Sequence, residues 1–138
     1  MHHYLKGGFV RDYSSGLIEL LTELKQDKQT HIYCQSANGA VADVPQTATA
    51  FSHRNVIANM MLSLKWNERS QDEPGRTAAR ATSSKLEPFT DGYYVNLNDA
   101  DPKRTDSNYG PNFSRLAELK KPYDPLNLFR LNVNIRPA

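Results

Sequence analysis

The feature that most constrains the fold is an amphipathic helix pattern followed directly by a strand pattern. In the segment SSGLIELLTELKQDK, apolar side chains recur at helical spacing, and Ser14 or Ser15 precedes them as a candidate N-cap. The next segment, THIYCQ, is short and rich in β-branched and aromatic residues, and an Asn38-Gly39 turn follows it. We therefore expect a helix that packs on a sheet. The apolar positions of the helix are Leu17, Ile18, Leu20, Leu21 and Leu24.

Further strands are predicted on both sides of the middle of the chain. Residues 47–66, TATAFSHRNVIANMMLSLKW, mix apolar-polar alternation with a helix-compatible patch, so periodicity alone does not decide between the two. Their threonine, phenylalanine, valine and isoleucine content favours two strands. Another strand is predicted at Tyr93–Leu97. This order indicates an α+β fold in which helices pack on one face of an antiparallel sheet.

Two polar stretches separate these elements. Residues 67–88 contain an alanine-rich centre, Thr77–Leu86, which predicts an exposed helix that packs weakly. Residues 99–112 hold three aspartates, two asparagines and two prolines, which is typical of a long surface loop. A short amphipathic helix is predicted at Phe113–Lys121, ended by Pro122.

Size and charge limit the classes of function. The chain of 138 residues is long enough for one domain, and we expect a single domain over residues 1–138. Its formal charge is +2, and no basic run interleaved with aromatic residues is present, so we expect no nucleic-acid partner. No apolar run is long enough to cross a bilayer, and the N-terminus lacks the apolar core of a secretory signal. We therefore expect a cytoplasmic protein with no membrane partner.

Isolated reactive side chains do not form a recognisable catalytic or metal-binding motif. The spacing of residues in the sequence identifies no nucleophile or acidic partner for His31 or His53. His53 is interpreted as the polar end of a strand. The single cysteine, Cys34, is interpreted as a buried, inert thiol. The carboxylates of residues 99–106 do not follow EF-hand spacing, and Gly7-Gly8 is not part of a phosphate-binding loop. The sequence thus predicts no metal site.

Tyrosines and asparagines are concentrated in the last third of the chain. Their side chains offer orientable hydrogen bonds without fixed charge, which suits a flat, neutral ring with polar edges. Ordinary core packing and loop capping explain the same composition equally well. The residues are Tyr93, Tyr94, Asn96, Tyr109, Asn112, Tyr123, Asn127, Asn132 and Asn134.

The order of these residues resembles a known family. Tyr94-x-Asn96, Tyr109-Gly110-x-Asn112, Tyr123-Asp124-Pro125-x-Asn127-x-Phe129 and Asn134-Ile135-x-Pro137 follow one another as in the C-terminal berberine-bridge-enzyme-like segment of FAD-linked oxidases. Upstream, Gly8-Phe9-Val10 and Thr49-Ala50-Phe51 with His53-Arg54 resemble the substrate domain of the same family more loosely.

The resemblance implies an antiparallel sheet flanked by helices that covers a flavin ring and forms a substrate cavity. It also implies that a larger N-terminal domain, which this sequence does not contain, grips most of the FAD. We therefore expect that this chain alone does not retain FAD, and that its partners are a small-molecule substrate and either a flavin-binding chain or a second copy of itself.

The stretch Tyr94-Val95-Asn96-Leu97 carries the main departure from the family. The family pattern Tyr-x-Asn-Tyr places the asparagine against the flavin and uses the second tyrosine as the catalytic base. Leu97 stands at that second position and cannot accept a proton. The resemblance then implies Asn96 and Asn127 as flavin contacts and Tyr94 and Leu97 as substrate contacts. Tyr94 is also the one weak candidate for a catalytic role.

Three functions remain open from the sequence. The chain is the substrate domain of an FAD-linked oxidoreductase completed by a flavin-binding partner, or a stand-alone small-molecule binder that kept the cavity, or an inactive fragment. The second includes a cofactor-free cyclase or isomerase that acts by positioning its substrate.

Overall fold

The computed structural model describes residues 1–97 and 105–138, in which helices pack on one face of an antiparallel sheet. The sheet has three strands in the order β1-β3-β2, and both pairings are antiparallel. The strands are β1 (His2–Val10), β2 (Thr30–Ser36) and β3 (Ala58–Trp66). The helices of the described residues are α1 (Ser15–Lys25), α2 (Asp72–Leu86), α3 (Thr105–Tyr109) and α4 (Phe113–Tyr123). The predicted α+β class is confirmed.

The register of the sheet divides its side chains between two faces. On the central strand, Met60 and Leu62 point to one face, and Asn59 and Met61 point to the other, because successive side chains alternate. Helices α1 and α2 cover the first face and enclose the hydrophobic core. Fully burying one such valine or leucine side chain stabilises the fold by about 1.5–3 kcal/mol. The core consists of Val10, Leu17, Leu24, Ala58, Met60, Leu62 and Leu86.

The first helix and the strand after it are confirmed as predicted. Helix α1 begins at Ser15, and the Ser14 hydroxyl accepts a hydrogen bond from the backbone N–H of Leu17 at 3.4 Å. Leu17 and Leu24 are buried against the sheet and Leu20 and Leu21 pack beside them, but Ile18 is 48% exposed, so the predicted apolar face is too wide at that residue. Strand β2 follows at Thr30–Ser36.

Three parts of the prediction are wrong in the described residues. Strand β1 was not predicted, and residues 47–57 contain no strand, so the predicted pair of strands is the single strand β3. The alanine-rich helix is longer than predicted and packs closely, because Gly75 lies against the indole of Trp66 and Ala79 is buried. Small side chains let α2 approach the sheet.

The last helix begins at Phe113 as predicted but continues to Tyr123, with Pro122 inside its last turn. The backbone N–H of Asp124 still reaches the carbonyl of Lys120 at 2.7 Å. Part of the predicted loop 99–112 lies outside the described residues, and its remainder contains α3. None of the helices in the described residues is long and apolar enough to cross a membrane.

Candidate functional site

The sheet face opposite the core helices carries the candidate site. On this face, Phe9 of β1, Asn59 of β3 and Gln35 of β2 form one cross-strand row. Neighbouring side chains in such a row lie about 4.5–5.5 Å apart at Cβ. The row therefore places an aromatic ring and two amides next to each other at one end of the sheet.

Phe9 is the centre of an aromatic cluster, which we define as Phe9, Phe51, His53 and Tyr94. The imidazole of His53 stacks on the Phe9 ring with centroids 4.4 Å apart. Phe51 and Tyr94 meet the same ring edge-on, at centroid distances of 5.7 and 6.3 Å. Edge-to-face and offset contacts of this kind stabilise aromatic groups beyond the area that they bury. The aromatic cluster is a rigid wall at the edge of the amide row.

A cleft of about 440 Å³ lies between the aromatic cluster and the end of β2. Its volume is in the range of small-molecule sites. Aromatic side chains from the cluster form one wall, and amide and guanidinium groups contribute to the rest of the lining together with Ser36, Ala37 and Val41. The side chains that define the cleft are Phe9, Phe51, Tyr94, Gln35, Arg54 and Asn59.

Asn59 is the most unusual residue of this cleft. Its side chain is 4% exposed, and its Oδ1 atom has no hydrogen-bond partner among the described residues. A Cβ at Gly7 would lie 3.2 Å from this oxygen, so the glycine keeps the space beside it open. Leaving a buried acceptor unpaired costs about 1–3 kcal/mol. The oxygen has almost no accessible surface, so a molecule bound in the cleft could donate to it only after the amide turns towards the cleft.

The Arg54 guanidinium is held by the protein itself. Its nitrogens donate to the carbonyls of Phe51 and Val41 and to the hydroxyl of Thr49, at 3.2, 3.3 and 2.8 Å. It also lies over the Phe51 ring, 4.9 Å from the centroid. Arg54 thus fixes the loop that carries Phe51 against the cleft.

A second, smaller cleft of about 160 Å³ shares the aromatic cluster and is closed by Tyr109. The Tyr109 hydroxyl donates to the carbonyl of Val133 at 3.3 Å, and burial raises the pKa of this phenol. Burial lowers the pKa of His53, although the Asn108 carbonyl, 3.0 Å from Nε2, opposes part of that effect. His53 is therefore a neutral, fixed ring at neutral pH.

The segment that carries Tyr94 is tied to the outer edge of β1. The N–H of Asp91 donates to the carbonyl of Phe9 at 2.7 Å, and the N–H of Phe9 donates to the carbonyl of Gly92 at 3.1 Å. Gly92 has a φ of +87°, which glycine adopts without steric cost. These contacts hold Tyr94 beside Phe9.

The predicted strand at Tyr93–Leu97 is wrong, since Val95–Leu97 form a 3-10 turn. The N–H of Leu97 donates back to the carbonyl of Tyr94 at 3.0 Å, which closes the turn and prevents an extended backbone. The turn nevertheless brings two predicted site residues together, because the Asn96 amide donates to the Tyr94 hydroxyl at 3.0 Å. Asn96 is exposed and Leu97 is half-buried.

Asn127, the other predicted flavin contact, lies in the loop after α4 and not in the lining of either cleft. Its φ is +50°, and its Oδ1 is buried without a partner in the described residues. Asp124 organises this loop by accepting from the N–H groups of Leu128 and Phe129 at 2.7 and 3.1 Å. Although burial opposes it, these bonds and the Lys120 ammonium hold the pKa of Asp124 below its usual range.

Sequence reasoning missed Asn59, Gln35 and Phe51 as site residues. The sequence of β3 did contain a signal for Asn59. Asn59, Met61, Ser63 and Lys65 alternate with apolar residues, so they share the face opposite the core, and Asn59 is the only amide among them.

Two interpretations of single residues are wrong as well. Cys34 is exposed and lies 3.0 Å from the Tyr13 hydroxyl, because the edge position of β2 leaves the thiol uncovered. His53 does not end a strand, since residues 51–57 form a loop, and it is buried inside the aromatic cluster.

The lining chemistry suits a neutral ring better than a charged or metal-bound group. Among residues 1–97 and 105–138, no group of three or more His, Cys, Asp and Glu side chains could hold a metal ion. Amide oxygens and phenols around an aromatic wall fit a flat ring with hydrogen-bond donors, such as the flavin ring or an aromatic substrate. Arg54 has already donated three of its five N–H groups to the protein, so it has few left for a pyrophosphate.

Residues 93–136 match the family model described as berberine and berberine like. Among curated proteins, the chain is 33% identical over 101 residues to an uncharacterized FAD-linked oxidoreductase, YvdP, of Bacillus subtilis, in a match that covers 72% of this chain and 23% of that protein. It is 27% identical over 164 residues to an aclacinomycin-N/aclacinomycin-A oxidase of Streptomyces galilaeus, with 95% and 30% of the two chains covered. The chain thus spans less than a third of each of these two relatives.

Solved structures give the same fold. The crystal structure of an aclacinomycin oxidoreductase superimposes with a TM-score of 0.86 at 22% identity, over 99% of this chain and 33% of that one. Berberine bridge enzyme from Eschscholzia californica superimposes with a TM-score of 0.78 at 18% identity, over the same shares.

Proposed function

Because the chain carries the berberine-like segment and has the fold of part of an FAD-linked oxidoreductase, we propose that it is the substrate-binding domain of such an enzyme. In this role it holds a small molecule on the open face of its sheet, next to a flavin that another part of the protein or another chain binds. The chain spans about a third of the solved oxidoreductase structures that it matches, which leaves room for that flavin-binding part.

The observation that carries the proposal is a cleft with an aromatic wall that is also lined by Asn59, an amide whose buried oxygen has no partner among the described residues. Phe9 and Phe51 supply apolar ring surface, and the Asn59 amide supplies hydrogen-bonding groups, including an oxygen that gains a partner if the amide turns towards the substrate. A flat substrate with a hydroxyl or amine group satisfies both demands at once. This chemistry defines the proposed substrate class as a neutral, hydroxylated aromatic or polycyclic molecule.

The flavin would meet only part of this chain. Asn96, by resemblance, and Asn127, whose Oδ1 also has no partner in the described residues, are the side chains that would contact its ring. A bound flavin supplies a two-electron acceptor. No glycine-rich phosphate-binding loop occurs in the sequence, so the pyrophosphate and adenosine would be held elsewhere.

Proton transfer from the substrate would fall to a residue other than Leu97. Tyr109 is a poor base because burial raises its pKa and its proton is donated to the Val133 carbonyl. Tyr94 lines both clefts, and it accepts rather than donates in its hydrogen bond with Asn96. Tyr94 in its phenolate form is therefore the proposed proton acceptor, and the Asn96 amide N–H that donates to its oxygen would orient it and favour that form.

The surface for the flavin-binding part is the exposed apolar tail, which we define as residues 123–131. Its large side chains are 70–87% exposed, whereas its backbone is fixed by Asp124 and Lys120. Contiguous apolar surface that is rigidly presented marks an interaction site. The exposed side chains are Tyr123, Leu126, Leu128, Phe129 and Leu131.

The proposal is tested by ligand retention on the purified chain. We would incubate it with a library of hydroxylated aromatic compounds and with FAD, desalt it, and identify what remains by native mass spectrometry. We expect retention of a flat aromatic compound, its loss in Asn59→Leu, and no change in the surface control Asn67→Ala. We expect no FAD to remain.

Other outcomes separate the alternatives. A stoichiometric yellow complex with FAD would show that the chain binds flavin without a partner. Retention of an aromatic compound, together with its conversion in the absence of any flavin, would favour the stand-alone cyclase or isomerase. Retention that Asn59→Leu leaves unchanged would contradict the proposed site.

A further inference from the structure

A third cleft lies at the opposite end of the sheet from the candidate site. It has a volume of about 310 Å³ and lies between the first residues of β1 and the first three turns of α2. Its lining is mainly polar and includes His2, His3, Trp66, Asp72, Arg76 and Arg80. Neither the resemblance nor the proposed substrate cleft accounts for it.

Two arginines give this cleft its charge. Arg76 and Arg80 are four residues apart on α2, so their side chains project from the same side of the helix. Both are exposed, and among residues 1–97 and 105–138 neither guanidinium forms an ion pair, although Glu73 lies only three residues before Arg76. Two unneutralised guanidinium groups therefore line one cleft.

The acidic residue in the lining is already engaged. The Oδ1 atom of Asp72 accepts from the Trp66 indole N–H at 2.6 Å and lies 3.1 Å from Nδ1 of His2. The His2 ring is stacked over Trp66 with centroids 6.4 Å apart. Asp72 thus holds the indole and the imidazole through Oδ1, and among the described residues it forms no ion pair with either arginine.

We propose that this cleft binds a phosphate dianion through Arg76 and Arg80. Guanidinium groups bind phosphate oxygens in a bidentate manner, and a pair of them matches the double charge of a phosphate. The cleft is far larger than one phosphate, so the natural ligand is a phosphate monoester whose organic part lies over His2 and Trp66. This proposal is independent of the proposed oxidoreductase function.

The chain offers a built-in reporter, since Trp66 is its only tryptophan, lines the cleft and donates its indole N–H to Asp72, another lining residue. We would follow the ¹⁵N–¹H signal of this indole at low ionic strength while adding inorganic phosphate, phenyl phosphate or, as a monoanion control, acetate. We expect saturable shifts with both phosphates, tighter binding of phenyl phosphate, and no saturable shift with acetate.

Variants decide whether the arginines are responsible. Arg76→Gln and Arg80→Gln should each weaken phosphate binding about tenfold, the effect of losing one charge-assisted hydrogen-bonding group. Arg115→Gln, which changes an exposed arginine on α4, should bind as the unchanged chain does. Absence of a saturable shift, or equal affinity in the Arg76→Gln/Arg80→Gln double variant, would overturn the proposal. Equal affinity for inorganic and phenyl phosphate would support the phosphate site at the two arginines, but it would contradict the proposal that the natural ligand is a phosphate monoester.

Discussion

Gly92 lies directly against the imidazole of His53, and a Cβ at Gly92 would overlap Cε1 of that ring. The same Cβ would lie 2.6 Å from the carbonyl oxygen of Ser107. This close approach lets the segment that carries Tyr94 pass between β1 and α3. The aromatic wall of the candidate site therefore depends on a residue that has no side chain.

Gly92→Ala is expected to destabilise the protein strongly. The substitution adds both the strain of a positive φ, about 1–2 kcal/mol, and overpacking against His53, about 1–3 kcal/mol. We expect a loss of about 3 kcal/mol in the free energy of unfolding, measured by urea denaturation. Gly39→Ala is the matched control, because its φ is +70° but no atom lies within 4 Å of a Cβ there. Equal losses in the two variants would mean that contact with His53 is unimportant.

Asn59→Leu is expected to separate stability from binding. Replacing an unpaired buried amide by an apolar side chain of similar size removes the cost of the unsatisfied Oδ1. We expect the free energy of unfolding to rise by about 1 kcal/mol, whereas affinity for an aromatic ligand falls at least tenfold. A stability loss in this variant would indicate that Oδ1 has a partner in solution.

The sequence predicted those elements whose signals lie within a short stretch of the chain, and it did not predict contacts between distant segments. The helix at α1 and the strand after it follow from the spacing of leucines and from an N-cap serine, all within a few turns of chain. Tyr94 and Asn96, which the resemblance named as site residues, do meet, but through a 3-10 turn and not along a strand. The segment that leads into the turn pairs with Phe9 through residues 91 and 92, which lie 82 and 83 residues further along the chain, and no local pattern reveals such a contact.

The main cleft was hidden for the same reason. Phe9, Gln35 and Asn59 belong to three strands, and only the register of the sheet brings them into one row. Strand β1, which was not predicted, contains Gly7-Gly8 and two histidines. Glycine is depleted in strands and histidine is not among the residues enriched there, so strand propensity gives little support for β1. Its pairing along all nine residues with β3 overrides that weakness.

His53 is expected to make stability depend on pH. Burial lowers the pKa of this group in the folded protein, whereas in the unfolded chain it is about 6.5. The folded state then binds fewer protons, so its stability is complete above pH 6.5 and is lost as pH falls through the folded pKa. Thermal denaturation from pH 5 to 8 should show this decline in the unchanged chain and in His31→Gln, and a weaker decline in His53→Gln. The same slope in all three would assign the decline to other groups.

Asp124→Asn is expected to loosen the loop after α4. The carboxylate accepts from the N–H groups of Leu128 and Phe129 and pairs with Lys120, and its pKa is lowered in the folded protein. The contribution of this carboxylate to the stability of the fold is therefore complete above about pH 3.9, the pKa of an aspartate in the unfolded chain. It is lost as the pH falls below that value. Hydrogen exchange at neutral pH should be faster at the Leu128 and Phe129 amides in the variant. Asp43→Asn, at an exposed position, should leave both amides protected.

The exposed apolar tail is expected to make the isolated chain self-associate. Phe129 and Leu131 are 83% and 87% exposed, and apolar groups that are fixed on a surface without a covering partner gain free energy by contact with one another. The free energy of unfolding of the double variant Phe129→Ser/Leu131→Ser should differ by no more than about 0.5 kcal/mol from that of the unchanged chain, because neither side chain is buried.

Sedimentation over a range of concentrations distinguishes this surface from the others. The unchanged chain should form dimers or larger species, and the double variant should be monomeric. Ile18→Ser removes an apolar side chain of similar kind that is 48% exposed on α1, outside the tail, and should still associate. If the unchanged chain were monomeric at high concentration, the tail would not be an interaction surface. The flavin-binding part would then have to dock on another face.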